Sequence, residues 1–230
     1  MKLATLDLGN TNPNVGIFEN GKLLKVISLD NYHPSEDEVK IVCKVKNQSL
    51  NFNYIDLNSF KKNKMFFDMP FHYSETLGID RLVAGYFTFK QSQLKTAVID
   101  AGTFITMDIV DANGFQGGYI YPGIKTFLQS YHRGENLKAL EFKFCDVTSL
   151  PHSTEEAILF ASQNYLKSII EDFIKKTSPS RIFLTGGSME IIEKLINELN
   201  LKIEIQKDYS LLHHSMQLIH DLHLIHLEEP

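Results

Sequence analysis

The chain has 230 residues, of which 43% are hydrophobic and 22% charged, with a formal net charge of −5. This is the composition of a soluble globular protein with a sizeable core, and its acidic balance excludes a general nucleic-acid binder, which needs a basic field. No apolar run approaches the ~18 residues of a spanning helix, and the N-terminus enters a strand pattern directly, so a cytoplasmic protein is expected rather than a membrane or exported one.

The opening reads as three strands, LATLDL, NVGIFEN and KLLKVIS, separated by Gly9-Asn10-Thr11 and by Asn20-Gly21, a strong tight-hairpin signal. A fourth strand, VKIVCKV, sets Ile41 and Cys43 in alternation against Lys40, Lys44 and Lys46. Residues 46–75 have no clean period, and their Phe-rich part (52–71) reads as core or subunit contact. IDRLVAGYFTFKQS then has helical spacing, with Leu82, Val83, Tyr86, Phe87 and Phe89 apolar.

A second three-strand pattern follows. It comprises an apolar strand ending in Asp100, a turn at Gly102-Thr103, a strand to Val110, and a hairpin at Asn113-Gly114 leading into a third strand. This is a weak internal repeat in which Asp7 and Asp100 hold matching places. Asp108 falls in the second strand of this set and is read as edge-exposed. The last third turns helical: Ser153 and Glu156 form a capping box, and Ile158, Tyr165, Ile169 and Phe173 share one face. RIFLTGGS is a short strand entering a Gly-Gly turn, and MEIIEKLINELN is a helix with Ile192, Leu195 and Ile196 inward. The order is that of an α/β protein built from two related halves.

The chain contains no P-loop, protein-kinase loop set, HExxH or GxSxG. A nucleotide must therefore be held by other means. A polar β-turn offers backbone N–H groups to phosphate oxygens, and a carboxylate at the strand end offers a hard ligand to their cation. Asp7-x-Gly9-Asn10-Thr11 has these parts and is also an ordinary hairpin. Asp100-x-Gly102-Thr103 supplies a second carboxylate and hydroxyl, and Gly186-Gly187 a third loop. Asp80 starts a helix and reads either as its N-cap or as a general base, with Arg81 beside it for anionic oxygens.

The cysteines, Cys43 and Cys145, are in no CxxC spacing and read as reduced, buried thiols. Five of the nine histidines lie between 213 and 226. A metal face of His220, His223 and His226 lacks a carboxylate constellation, so a partly exposed C-terminal helix is the preferred reading.

DLGNTN, LGIDR, DAGTFITMD, GGYIYPG and LTGG, in this order and spacing, resemble the type III pantothenate kinases. These belong with the acetate and sugar kinases, heat-shock chaperone ATPases and actin. The resemblance runs from residue 3 to about 187. It implies an α/β fold of two related ribonuclease H-like domains of the actin-like ATPase superfamily, 1–92 and 93–230, with the nucleotide cleft between them. The implied activity is ATP-dependent phosphorylation of pantothenate to 4′-phosphopantothenate, the first step of coenzyme A biosynthesis, by a homodimer with no nucleic-acid or membrane partner.

By the same resemblance, Asp7, Leu8, Gly9, Asn10, Thr11, Asn12, Pro13 and Asn14 would form the first ATP phosphate loop, with Asp7 beside Mg²⁺, and Thr103 would touch ATP phosphate. Asp100 would ligate a monovalent cation, K⁺ or NH₄⁺. Gly78, Ile79, Asp80 and Arg81 would hold pantothenate, with Asp80 as the base and Tyr73 in the place of a substrate tyrosine. Thr154 would reach pantothenate from the partner subunit, a role that competes with its place in the capping box.

Some positions depart from the family pattern. Pro13 removes one N–H from the first loop. Phe104 and Ile105 are bulkier than usual, which should narrow the space beside Thr103. Phe71-His72-Tyr73-Ser74 replaces the usual segment before LGIDR, and Pro151 stands where glycine is common. Two other functions remain open from sequence: a non-catalytic, nucleotide-binding transcriptional accessory factor, and a same-fold kinase for another small alcohol.

Overall fold

A computed structural model describes residues 2–9, 11–45, 49–131, 140–146 and 149–225. The chain divides into two compact units: Met1–Leu94 with Val110–Gly117 and Ser210–Pro230, and Lys95–Ile109 with Gly118–Tyr209. The sequence division at 92/93 assigned both Val110–Gly117 and the C-terminal segment to the second half.

In the first unit, β1 (Lys2–Leu8), β2 (Asn14–Glu19) and β3 (Lys22–Ser28) form an antiparallel meander. Asn20 and Gly21 both take positive φ, as the tight Asn-Gly turn requires. β4 (Glu38–Lys44) then pairs parallel to β1, and β5 (Ile55–Asp56) parallel to β4, so the sheet order is β3-β2-β1-β4-β5. The Lys/apolar alternation read in β4 does not hold. Lys40, Ile41, Val42 and Cys43 are all buried, because this strand is interior and covered on both faces. Lys40 is tolerated there because its ammonium donates to the carbonyls of Ser35 and Glu38.

Residues 61–70 form a small antiparallel sheet of β6 (Lys61–Lys62), β7 (Met65–Phe66) and β8 (Met69–Pro70). The Phe-rich stretch thereby reaches the core through Phe66 and Phe71, both fully buried. α1 (Ile79–Gln91) follows, with Leu82, Val83 and Tyr86 inward.

The same sheet plan recurs in the second half of the sequence. β9 (Thr96–Ala101), β10 (Phe104–Asp111) and β11 (Gly114–Pro122) run consecutively, their short connections permitting only antiparallel pairing. α2 (Ile124–Ser130) and the 24-residue α3 (Thr154–Thr177) come next, then β12 (Arg181–Thr185), α4 (Met189–Glu198) and β13 (Glu204–Lys207). β12 pairs parallel to β9 and β13 to β12, giving β11-β10-β9-β12-β13. The two five-stranded sheets thus share one topology, and the weak internal repeat is a repeat of fold.

Asp108 is 2% exposed, not edge-exposed: β10 is an inner strand, flanked by β9 and β11. Ile158, Leu166, Ile170 and Phe173 carry the core face of α3, and Tyr165 and Ile169, partly buried, pack at its margin beside Ile158. Ser153 accepts from the Glu156 N–H at 3.2 Å, and Glu156 returns to the N–H of His152, one residue before the cap.

The chain closes with α5 (Leu211–Ile219) and a π-helical turn, His220–Leu224, packed in the first unit against α1 and β1. The expected partly exposed helix is more deeply set than its sequence indicated. His213 and His220 are 4% and 0% exposed, each with a polar partner that makes burial tolerable. His226 lies outside the described residues. Cys43 is buried and Cys145 only half-buried. No described helix is long and apolar enough to cross a membrane.

Candidate active site

In each sheet the strand order reverses beside a carboxylate. Asp7 lies near the carboxyl end of β1, opposite Asn14 of β2 on one side and Cys43 of β4 on the other. Asp100 lies near the end of β9, in register with Thr185 of β12. Carboxyl ends of parallel strands at a reversal of order are where open α/β sheets bind ligands.

In the first unit Asp7 is half-buried and accepts from the Asn14 Nδ2 at 3.3 Å and from the Gly9 N–H. Burial, and then the negative charge of Asp80, push its carboxyl up to about 6, against which these hydrogen bonds work. Asp7 therefore feels the charge of Asp80. Asp80 is not the N-cap of α1. Gly78 holds that place and Asp80 is the second helical residue, its Oδ1 accepting from the Arg81 N–H at 2.9 Å. The first helical turn thus sets the carboxylate's orientation, and the acid also suits the positive end of the helix.

Arg81 is 7% exposed, its guanidinium carbon 5.2 Å from the Tyr73 ring centre and 5.7 Å from that of Phe115. Tyr73 and Arg81, assigned to substrate from different segments, are thus brought together. Leu8 and Ile79 are core side chains, leaving only their backbones for a ligand. Thr11 and Asn12 are exposed, and Asn10 lies outside the described residues. Pro13 lacks an N–H, but its carbonyl accepts from Leu29 N at 3.1 Å, tying the loop to the end of β3.

In the second unit the Asp100–Thr103 turn is fixed from several sides. The Thr103 carbonyl accepts from Gly123 N at 2.9 Å and from the Thr126 hydroxyl at 2.7 Å, and the Ala101 carbonyl from Ser188 N at 3.0 Å. The Thr103 side chain itself is exposed. Gly186 has φ +88°, and a Cβ there would lie 2.4 Å from Asp100 Oδ1. The first glycine of LTGG is thus the residue that lets Asp100 keep its place. Ile105 is buried in the core and narrows nothing beside Thr103, and Phe104 is the exposed member of that pair. Thr154 is the exposed first residue of α3.

Sequence reading missed Thr126 and His213. Thr126 sits in a helix with no local signal, and His213 was only one of a histidine cluster.

Among the described residues no three His, Cys, Asp or Glu side chains form a metal-holding group. The carboxylates suit a different arrangement. Mg²⁺ is commonly held by one or two carboxylates together with substrate phosphates, and Asp7, raised by burial beside a second acid, is a hard oxygen donor whose charge a cation would favour.

The raised carboxyl has a consequence for stability. Between about pH 4 and 6 the native protein keeps a proton on Asp7 that the unfolded chain has released. The stability this contributes is complete below about pH 4 and lost as pH rises through about 6. At pH 8 Asp7→Asn should therefore melt above the wild type, by a margin worth about 1–3 kcal/mol that closes near pH 4. Thermal melts at the two pH values check this; superimposable melts at pH 8 would contradict it.

The family profile described as Type III pantothenate kinase matches residues 39–176. The chain is 32% identical over 197 residues to a type III pantothenate kinase of Sulfurimonas denitrificans, covering 82% of this chain and 86% of that one. It is 27% identical over 199 residues to a type III pantothenate kinase of Campylobacter hominis, again covering 82% and 86%. Among solved structures, it resembles a Campylobacter jejuni protein provisionally described as a Baf family transcriptional activator. The TM-score is 0.65 at 21% identity, over 95% of this chain and 97% of that one. A Carboxydothermus hydrogenoformans ethanolamine utilization protein gives a TM-score of 0.51 at 10% identity, over 95% and 89%. These structural likenesses show the fold alone.

Proposed function

The chain belongs to the type III pantothenate kinase family, and on that premise we propose that it phosphorylates the primary hydroxyl of pantothenate from ATP. The observation that carries this reading is the recurrence of one sheet plan with a carboxylate at each reversal of strand order, together with Asp80 oriented by the first turn of α1. Phosphoryl transfer needs little covalent chemistry from the protein. It needs positioning, charge stabilisation and a base within reach of the hydroxyl.

In this reading Asp80 takes the proton from the pantothenate hydroxyl, and Arg81 with Tyr73 orients the substrate. The 7–14 turn would offer N–H groups and side-chain donors to the ATP phosphates, and Thr103 would touch ATP phosphate. Mg²⁺ beside Asp7 would screen the phosphate charge. Asp100 would hold K⁺ or NH₄⁺. Thr154, exposed at the head of α3, would meet pantothenate bound to the partner subunit of a homodimer. The acidic net charge supports neither a nucleic-acid nor a membrane partner, and the reaction is a cytoplasmic one.

The test is ADP release from MgATP in the presence of K⁺ across a panel of small primary alcohols. Pantothenate should exceed every other acceptor in kcat/KM by at least about 100-fold, the discrimination a site with buried polar groups can supply. Equal use of another alcohol would reassign the substrate.

A further inference from the structure

His213 is far from the other site residues in sequence and was not assigned to the site. It is the third residue of α5, and its ring lies over Gly16 against the face of the paired strands β1 and β2. Its Nδ1 lies 2.8 Å from the Thr5 hydroxyl on β1, and its Nε2 lies 2.5 Å from the side-chain oxygen of Asn14 on β2. The amide nitrogen of Asn14 in turn donates to the Asn12 carbonyl at 3.0 Å and to Asp7 Oδ2 at 3.3 Å.

The donor logic fixes the Asn14 amide and the Nε2 end of His213. The Asn12 carbonyl and the Asp7 carboxylate only accept, so the NH₂ end of the Asn14 amide must face them. Its oxygen must then face His213, which requires the proton on Nε2; Nδ1 meets the Thr5 hydroxyl, which also has the Gly16 carbonyl as an acceptor at 3.3 Å. Without the histidine donor the Asn14 amide could turn over. That would set an oxygen against the Asp7 carboxylate and remove the side-chain hydrogen bond that holds it.

The backbone makes room for this contact. A Cβ at Gly16, in β2, would lie 2.7 Å from Thr5 Oγ1 and 2.8 Å from the His213 ring. Glycine in mid-strand weakens a sheet unless something must approach closely, and here the imidazole does.

We infer that His213 is a positioning residue: through Asn14 it fixes the Asp7 carboxylate in the orientation that receives the cation accompanying the nucleotide. This rests on the reading of Asp7 given above. Asn14 is the partner one step removed from Asp7, and losing such a partner typically alters metal affinity 10–100-fold; His213, one bond further, sets the low end of that range.

The experiment measures Mg·ADP binding by calorimetry and follows the Asn14 side-chain amide by NMR in four proteins. His213→Leu should bind Mg·ADP about tenfold more weakly. His213→Gln, whose amide nitrogen falls near the place of Nε2, should stay within about twofold of the wild type. Gln217→Ala is the control for helix docking, since Gln217 also ties α5 to the β2–β3 turn, through the Gly21 carbonyl at 3.0 Å. It too should stay within about twofold. If His213→Leu does not fold, His213→Asn, whose shorter amide reaches only the Thr5 side, takes its place and should bind as weakly. Wild-type affinity in His213→Leu, or equal loss in His213→Gln, would overturn the inference. A wild type that binds no Mg·ADP would instead sink the reading of Asp7. Even then the Asn14 NH₂ resonances judge His213: they should move in His213→Leu and hold in His213→Gln, and an unmoved pair in His213→Leu refutes the positioning role.

Discussion

Asp80→Asn should lower kcat for pantothenate by roughly 10²–10⁴-fold, the range general-base catalysis contributes, with the KM for MgATP little changed. The fold should survive. Asp80 is the second residue of α1 and its Oδ1 accepts from Arg81 N, a contact the asparagine oxygen can also make. What is lost structurally is one negative charge at a helix N-terminus, worth about 0.3–1 kcal/mol. Activity and stability should therefore separate, with a melting temperature close to the wild type beside a nearly dead enzyme. A variant that keeps a tenth or more of the wild-type turnover would remove Asp80 as the base and leave it as a helix-terminal acid.

Gly186→Ala and Gly187→Ala should differ sharply although the residues are neighbours. Gly186 combines φ +88° with a close approach: a Cβ there would stand 2.4 Å from Asp100 Oδ1, and 2.6 and 2.7 Å from the backbone C and N of Ala101. A left-handed backbone costs an L-residue about 1–2 kcal/mol, and overlap with main chain that cannot turn aside costs about 1–3 more. Gly186→Ala should thus lose roughly 2–5 kcal/mol in urea melts and displace the Asp100 turn, with activity falling accordingly. A Cβ at Gly187 meets nothing within 4 Å, so Gly187→Ala should stay within about 0.5 kcal/mol of the wild type. Equal effects at the two positions would show that the LTGG turn is not set by its packing on Asp100.

Much of this arrangement was legible in the sequence because it is local. Apolar runs punctuated by Asn-Gly gave the strands of both meanders, and the echo of Asp7 at Asp100 marked the halves that share a sheet order. The capping box gave the start of α3 to the residue. What failed was whatever depends on neighbours distant in the chain. Lysines in VKIVCKV suggested an alternating strand, yet β4 is interior and Lys40 is buried with its charge on main-chain carbonyls. Asp108 looked like an edge residue because nothing in ITMDIVD shows that strands lie on both sides of it. Asp80 is a favoured N-cap type, but the extended backbone of Gly78 starts the helix two residues earlier.

The C-terminal histidines failed most completely. His213 meets Thr5 across 208 positions and Asn14 across 199, and no periodicity encodes such a contact. The buried Tyr86 likewise meets His223 at 2.5 Å and Asp68 at 2.6 Å, a part-buried polar connection between α1 and the last helical turn. Both examples have the same cause. A buried polar side chain is tolerated only with its partner in place, and the partner is named by the fold rather than by the local sequence.

The central claim is transfer of a phosphoryl group from ATP to the pantothenate hydroxyl, and phosphorus NMR of the reaction mixture reads it directly. With Mg²⁺ and K⁺ present, the γ-phosphate signal of ATP should fall as a phosphomonoester signal split by an adjacent CH₂ group grows in equal measure. An unchanged γ-phosphate, or one lost only to inorganic phosphate, would contradict the account.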